Sequence, residues 1–245
     1  MKIAGCTALV TGANRGLGRA FVEALRSAGA VKIYAAARNT NGVMQEGVVT
    51  PVKLDITKAD EVSAAATTCA DVNLLINNAG VARFTSALGT PTIENARLEM
   101  ETNYFGTLSM CRAFAPVLKR NGGGTLVNML SAVSFFNAPT QATYCASKAA
   151  EWSLTKAVRF ELHAQGTRVI GVYAGYIDTD LAADVKNAPK SSAADIAARV
   201  VDGIEADAED IFADKRSRGV FDTLRKDDRG FDSNIQKLWD SRANP

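Results

Sequence analysis

"TGANRGLG", residues 11–18, is the stretch whose reading decides the fold. It follows the short apolar run "TALV" at 7–10 and precedes "RAFVEALRSAG" at 19–29. In that second segment Phe21, Val22 and Leu25 have helical spacing, and Gly29 supplies a stop signal. A glycine-rich turn between a strand and a helix has a physical use. Gly12, Gly16 and Gly18 let the backbone turn tightly and let a phosphate come close. The first N–H groups of the helix, with their partial positive charge, then face that phosphate. The spacing is G-x-x-x-G-x-G rather than G-x-G-x-x-G, which points to one branch of dinucleotide-binding folds.

Working outward, strand-like and helix-like segments alternate. Strand patterns occur at 7–10, 31–37, 47–55, 72–78, 124–131, 168–175 and 210–214. Pro51 marks the third as an edge or a weak start. Helical patterns cover roughly 92–120, with Pro116 near the end, 141–166 ending at Gly166, and 192–206 beginning at a serine. This order predicts an α/β fold: a doubly wound, parallel, seven-stranded sheet with helices on both faces. No linker, repeat or low-complexity tract divides the chain. One domain over 1–245 is expected, with a core at 1–214 and a C-terminal extension at 215–245. The extension is polar with scattered apolar anchors, and packs either over the core or over a neighbouring subunit.

Composition narrows the function. Hydrophobic residues make up 47% and charged residues 22% of the 245-residue chain, as in ordinary globular proteins. The net charge is +2 and Lys and Arg are scattered, so no nucleic-acid partner is expected. "KRSR" at 215–218 reads as a solvated turn or helix end. No apolar run is long enough to span a membrane, and no secretory signal precedes the glycine loop, so a cytoplasmic protein is expected. Cys6, Cys69, Cys111 and Cys145 form no CxxC pair and read as buried free thiols. His163 is the one histidine and reads as a helix-terminal residue, so no metal site is expected.

An NAD site places an acid at the end of the second strand, about 20 residues past the glycines. Here that place reads "AAARN", with Arg38 and no acid. Arg38, joined by Arg15 of the glycine loop, suits a 2′-phosphate, so NADP(H) is preferred to NAD(H). The alternative is that both arginines are solvated surface residues.

Further elements line up in order: "LDIT" with Asp55, "NNAG" at 77–80, Asn103 in "ETNYFG", Ser131 after the fifth strand, and "YCASK" at 144–148. The combination resembles the short-chain dehydrogenase/reductase family in its compact branch, over about residues 5–214, with Ser131 and Tyr144 at the family's separation of 13 residues. The resemblance implies a Rossmann-like fold and a homodimer or homotetramer. It implies a phosphate loop of Gly12, Asn14, Arg15, Gly16, Leu17 and Gly18. Asp55 would bond the adenine amino group with Ile56 beside the ring, and Asn78, Ala79 and Gly80 would line the adenosine ribose. Tyr144 and Lys148 would hold the nicotinamide ribose, with Ile177 and Thr179 at the carboxamide. Asn103, Ser131, Tyr144 and Lys148 would form a catalytic tetrad.

The chemistry of that tetrad follows from residue types. Carbonyl reduction needs a proton for the developing alkoxide. Tyrosine, with an ordinary pKa of about 10, can supply it if its pKa is lowered. Lys148, one helical turn from Tyr144, is expected to lower it. Ser131 can hold the carbonyl oxygen, and Asn103 would organise a water leading from Lys148 to solvent. Singly, each residue has a bland alternative: an i,i+4 surface pair, a strand-end hydroxyl, a polar helix residue.

One departure from the family concerns "YAGYIDTD" at 173–180, where Ala174 replaces the usual proline; Gly175 remains for close approach to the nicotinamide. Losing proline frees φ at that position. Tyr176, Phe84, Val133, Phe135 and Phe136 would make an apolar, partly aromatic pocket for a hydrophobic or aryl ketone or aldehyde. Core or lid packing is an equal reading for Phe135 and Phe136. The expected activity is NADPH-dependent carbonyl reduction, reversible to alcohol oxidation. A non-redox lyase (dehalogenase-like) or a non-catalytic nucleotide-binding protein on the same scaffold are the rivals, against which the intact glycine loop and tetrad speak.

Overall fold

The computed structural model describes residues 1–90 and 92–243. Seven parallel strands form one sheet: β1 (Thr7–Thr11), β2 (Lys32–Ala37), β3 (Val49–Lys53), β4 (Leu74–Asn77), β5 (Thr125–Met129), β6 (Arg168–Tyr173) and β7 (Asp210–Phe212), in the order β3-β2-β1-β4-β5-β6-β7. Pro51 sits in β3, an edge strand, where its missing N–H leaves a ladder bond unmade only at the margin.

Alternation along the strands feeds two cores. Ala8, Val10, Leu74 and Ile76 point to one face, where Phe21 and Leu25 of α1 (Gly16–Ser27) meet Ile196, Val200 and Ile204 of α6 (Ala193–Glu205). Leu9 and Leu75 point to the other, against α2 (Ala59–Thr68), α4 (Thr107–Arg120) and α5 (Ala142–His163), which bring Val62, Phe114, Leu118, Leu154 and Val158. Each large apolar side chain so buried stabilises the fold by roughly 1.5–3 kcal/mol. Strands buried on both faces explain the near-continuous apolar runs.

The structure departs from the sequence expectations in three elements. Helix α2 was not expected, because its small polar and alanine residues bury little beyond Val62 and Ala65. The long helix at 92–120 is interrupted: α3 (Glu94–Glu99) passes into a π-helical segment, Met100–Gly106, before α4. Pro116 lies inside α4 on its exposed side and does not end it. The C-terminal extension forms two helices, α7 (Lys215–Lys226) and α8 (Asp228–Ala243), and packs on the core of its own chain through Phe221 and Phe231.

Strand order reverses between β1 and β4, so the loops after these strands diverge and a crevice opens at their carboxyl ends. Most of the residues singled out in the sequence gather there.

Candidate active site

The cleft at this switch point has a volume of about 470 Å³. Its floor is the glycine loop. Gly12 has φ +67°, which disfavours any side chain, and a Cβ on Gly18 would collide with the Gly12 carbonyl oxygen. Helix α1 can therefore start close against the end of β1, after the four-residue turn 12–15. The first turn of α1 carries no acid, and its N-cap residue, Arg15, makes no side-chain cap. The orphan N–H groups at that end are left to an anion such as a dinucleotide pyrophosphate. Gly12, Asn14, Arg15, Gly16, Leu17 and Gly18 all line the cleft.

Thr11 ties this loop to the next strand. Its hydroxyl accepts from the Asn78 and Ala79 N–H groups at 2.9 and 3.0 Å, and the Asn78 amide donates to the Thr11 carbonyl at 2.9 Å. Asn78 thus spends its amide on fixing the loop, while Asn78, Ala79 and Gly80 border the cleft. At one end of the cleft stand Arg38, exposed just past β2, and Asp55 and Ile56 past β3. Burial opposes the Asp55 carboxylate, yet bonds from the Thr57 hydroxyl and N–H, with Arg38 and Lys58 nearby, hold its pKa below the ordinary value. Arg15 turns the other way, and its guanidinium meets Asp180 at 2.6 Å, bridging the phosphate loop to the segment after β6.

At the opposite end the four tetrad residues converge from three elements. Ser131 follows β5 and caps the short 3₁₀ turn Ala132–Ser134; its hydroxyl also donates to the Ala174 carbonyl at 3.4 Å. Tyr144 and Lys148 lie one turn apart on α5 and both line the cleft, as does Ser131. Asn103 is fully buried in the π-helical segment. Its amide donates to the Val81 carbonyl and the Ser147 hydroxyl, each at 2.9 Å, and its side-chain oxygen accepts from the Val81 N–H at 2.8 Å. The Asn103 side chain is a clamp between the loop after β4 and α5.

The acidity of Tyr144 differs from the expectation that the Lys148 ammonium alone would lower its pKa. Burial instead raises it, against the pull of Lys148 and of the Ser131 hydroxyl and with Glu151 adding to the rise. Sequence reasoning passed over Glu151. Lys148 donates to the Glu151 carboxylate at 2.6 Å and to the Met129 carbonyl at 2.8 Å. Burial opposes the ammonium, but Glu151 and Tyr144 outweigh it, so the Lys148 pKa is raised. The only signal in the sequence was the i,i+3 spacing of Lys148 and Glu151, indistinguishable from a surface pair.

Around Tyr144 and Ser131, Phe84, Val133, Phe136 and Tyr176 line the cleft, and Phe135 does not. Phe135 packs among Trp152, Tyr173, Phe212 and Phe221, with ring centroids 4.7 Å from Tyr173 and 5.2 Å from Phe221. Phe84 holds φ at +50°, a strained conformation for an aromatic residue, and meets the Tyr144 ring edge-on at 6.1 Å. Gly175, Ile177 and Thr179 line the cleft after β6. The loop freed by Ala174 is anchored instead by the Gly175 N–H, which donates to Asp214 at 2.7 Å. Arg216 belongs to the "KRSR" run, for which a solvated turn or helix end was expected. It also lines the cleft, with its guanidinium 5.0 Å from the Tyr176 ring centre. Among the described residues no group of His, Cys, Asp and Glu could hold a metal ion, and no helix is long and apolar enough to cross a membrane.

Comparison with known proteins places this arrangement. The family described as short chain dehydrogenase matches residues 6–190. A crystal structure of a short chain dehydrogenase from Burkholderia cenocepacia in complex with NADP is 39% identical, covers 96% of this chain and 99% of its own, and superposes with a TM-score of 0.93. The galactitol 2-dehydrogenase (L-tagatose-forming) of Cereibacter sphaeroides is 32% identical over 77% of this chain and 78% of its own length. The NADP-dependent 3-hydroxy acid dehydrogenase of Schizosaccharomyces pombe is 28% identical over 73% and 74%.

Proposed function

The chain belongs to the short-chain dehydrogenase family of nicotinamide-dependent oxidoreductases, and on that premise we propose that it is an NADPH-dependent carbonyl reductase acting on hydrophobic, including aryl, ketones or aldehydes. The observation that carries this reading is the convergence of Ser131, Tyr144 and Lys148 on one end of the cleft that begins at the glycine loop. The nicotinamide supplies the hydride when bound. Tyr144 gives its hydroxyl proton to the carbonyl oxygen: the phenol O–H bond breaks and the product O–H bond forms. Ser131 turns its hydroxyl from the Ala174 carbonyl to donate to the same oxygen and hold it against Tyr144. Lys148 keeps a proton donor beside the phenolate so formed, and Asn103 fixes the helix that presents both. In oxidation the phenolate takes the proton back.

NADP(H) rather than NAD(H) is supported by Arg38 at the end of β2, where no acid stands, and by the NADP complex of the Burkholderia cenocepacia relative. The apolar substrate class is supported by Phe84, Val133, Phe136 and Tyr176 around the mouth. A homodimer or homotetramer is the assembly that the family resemblance implies.

NADPH consumption with a panel of ketones and aldehydes tests the reading. Tyr144→Phe is expected to lower turnover by about 10²–10⁴-fold while NADPH binding, followed by fluorescence, persists. Near-normal turnover in that variant would mean that Tyr144 is not the proton donor.

A further inference from the structure

Tyr144, Lys148 and Glu151 lie at successive turns of α5 and face the same way. Glu151 is 1% exposed and Lys148 7%. A buried carboxylate is costly to the fold. An apolar residue of similar volume at such a position is often neutral or stabilising, so packing alone does not call for an acid there. The acid is nevertheless well held. Its carboxylate accepts from Lys148 at 2.6 Å and from the Thr107 hydroxyl of α4 at 3.4 Å. Its backbone carbonyl accepts from Thr155 at 2.8 Å, and Thr155 in turn accepts from Asn128 of β5 at 3.0 Å.

We infer that Glu151 is a positioning residue for the acid–base pair: its carboxylate is the counter-ion that aims the Lys148 ammonium and sets the pH at which Tyr144 gives up its proton. The inference rests on the role proposed above for Tyr144. Charge decides the direction. An ammonium alone beside a phenol favours the phenolate; an ammonium already paired with a carboxylate presents little net charge to it. Burial raises the Glu151 pKa against the pull of Lys148 and Thr107, and the carboxylate is held ionised by the ammonium 2.6 Å away. Tyr144 and Lys148 titrate as a pair, and that negative charge beside the pair delays loss of its first proton to higher pH. Burial raises the thiols packed here. Cys111 of α4, facing Glu151, is pushed up to about 12, and Cys145, beside Tyr144, to about 11. Met129 of β5 offers only its carbonyl. The buried Glu99 of α3 lies toward Cys145 and accepts from the Arg83 N–H at 2.7 Å.

The test is made first on the cofactor-free protein. The phenolate absorbance of Tyr144 is isolated by subtracting the titration of the matching Tyr144→Phe protein. Glu151→Gln keeps the shape and removes the charge, and is expected to bring the Tyr144 midpoint down by about 1–3 pH units. The alkaline-side limb of the pH profile for alcohol oxidation should move the same way. Glu151→Asp keeps the charge and should keep the midpoint near that of the parent, with kcat reduced and KM for NADPH unchanged. If Glu151→Gln does not fold, Glu151→Leu carries the same comparison. A midpoint that stays or rises in the charge-free variant overturns the inference. Loss of turnover in Tyr144→Phe together with an unmoved midpoint overturns it alone, whereas near-normal turnover in Tyr144→Phe removes the proposed function and this inference with it.

Discussion

Arg38 and the four cysteines illustrate how much a single side chain's surroundings decide. Arg38 is exposed at the tip of β2 and borders the cleft beside Asp55, the geometry a guanidinium needs to meet a phosphate from solvent. Arg38→Asp should therefore swing kcat/KM from NADPH toward NADH, by about 10-fold or more, since one charge-assisted bond of about 1.5–3 kcal/mol is replaced by repulsion. Parallel assays with the two cofactors read this directly, and an unchanged ratio would mean that Arg38 does not meet the 2′-phosphate. The cysteines are buried and free, and burial holds the Cys69 thiol up to about 12. They act as small apolar side chains in the core, as their spacing in the sequence suggested. Tyr144 shows the opposite case, because its four-residue spacing to Lys148 was visible while the carboxylate that changes its acidity acts from a further turn along the helix.

Elements set the geometry that residues use. The π-helical segment at Met100–Gly106 rotates Asn103 into the clamp on Val81 and Ser147, and Gly106 leaves room for Ile56, whose side chain would lie 2.7 Å from a Cβ there. Helix α7 does comparable work from the other side. Asp214 caps it by accepting from the Ser217 N–H at 2.7 Å, and the same carboxylate accepts from Gly175 at 2.7 Å. One side chain thus begins a helix and anchors the loop after β6. Asp214→Ala removes a cap worth about 1 kcal/mol and leaves the Gly175 N–H without its partner, a further penalty of about 1–3 kcal/mol. A lowered Tm and a raised KM for NADPH are expected together, because stability and loop position share the one carboxylate. A fall in Tm with an unaltered KM would show that the loop keeps its place without it.

At the scale of the molecule, two apolar cores clamp a sheet whose strand order reverses at the cleft, and α7 closes the β7 side through tilted aromatic contacts. Phe221 lies 4.8 Å from Phe212 and 5.2 Å from Phe135, centre to centre. Phe221→Ala should destabilise the protein by about 2 kcal/mol, below the usual range for buried phenylalanine because this ring is half-buried. NADPH affinity should hold, since this cluster lies away from the glycine loop. Denaturant unfolding and cofactor titration of the same variant check both parts. If the extension instead contributes nothing to the core, the unfolding midpoint will not move.

By itself the sequence determined the parallel sheet, its seven strands and the glycine-to-tyrosine order of motifs. These depend on local signals: apolar periodicity, glycines at turns, and residue types at short spacings. It also placed Phe84, Val133, Phe136 and Tyr176 near the mouth. Only the tertiary structure decided that Phe135 faces an aromatic cluster, that α2, α7 and α8 exist, that Arg216 borders the cleft, and that Lys148 is held by Glu151. Each of these depends on which distant surface a side chain meets and on how much water burial removes from it, and neither quantity is carried by spacing along the chain.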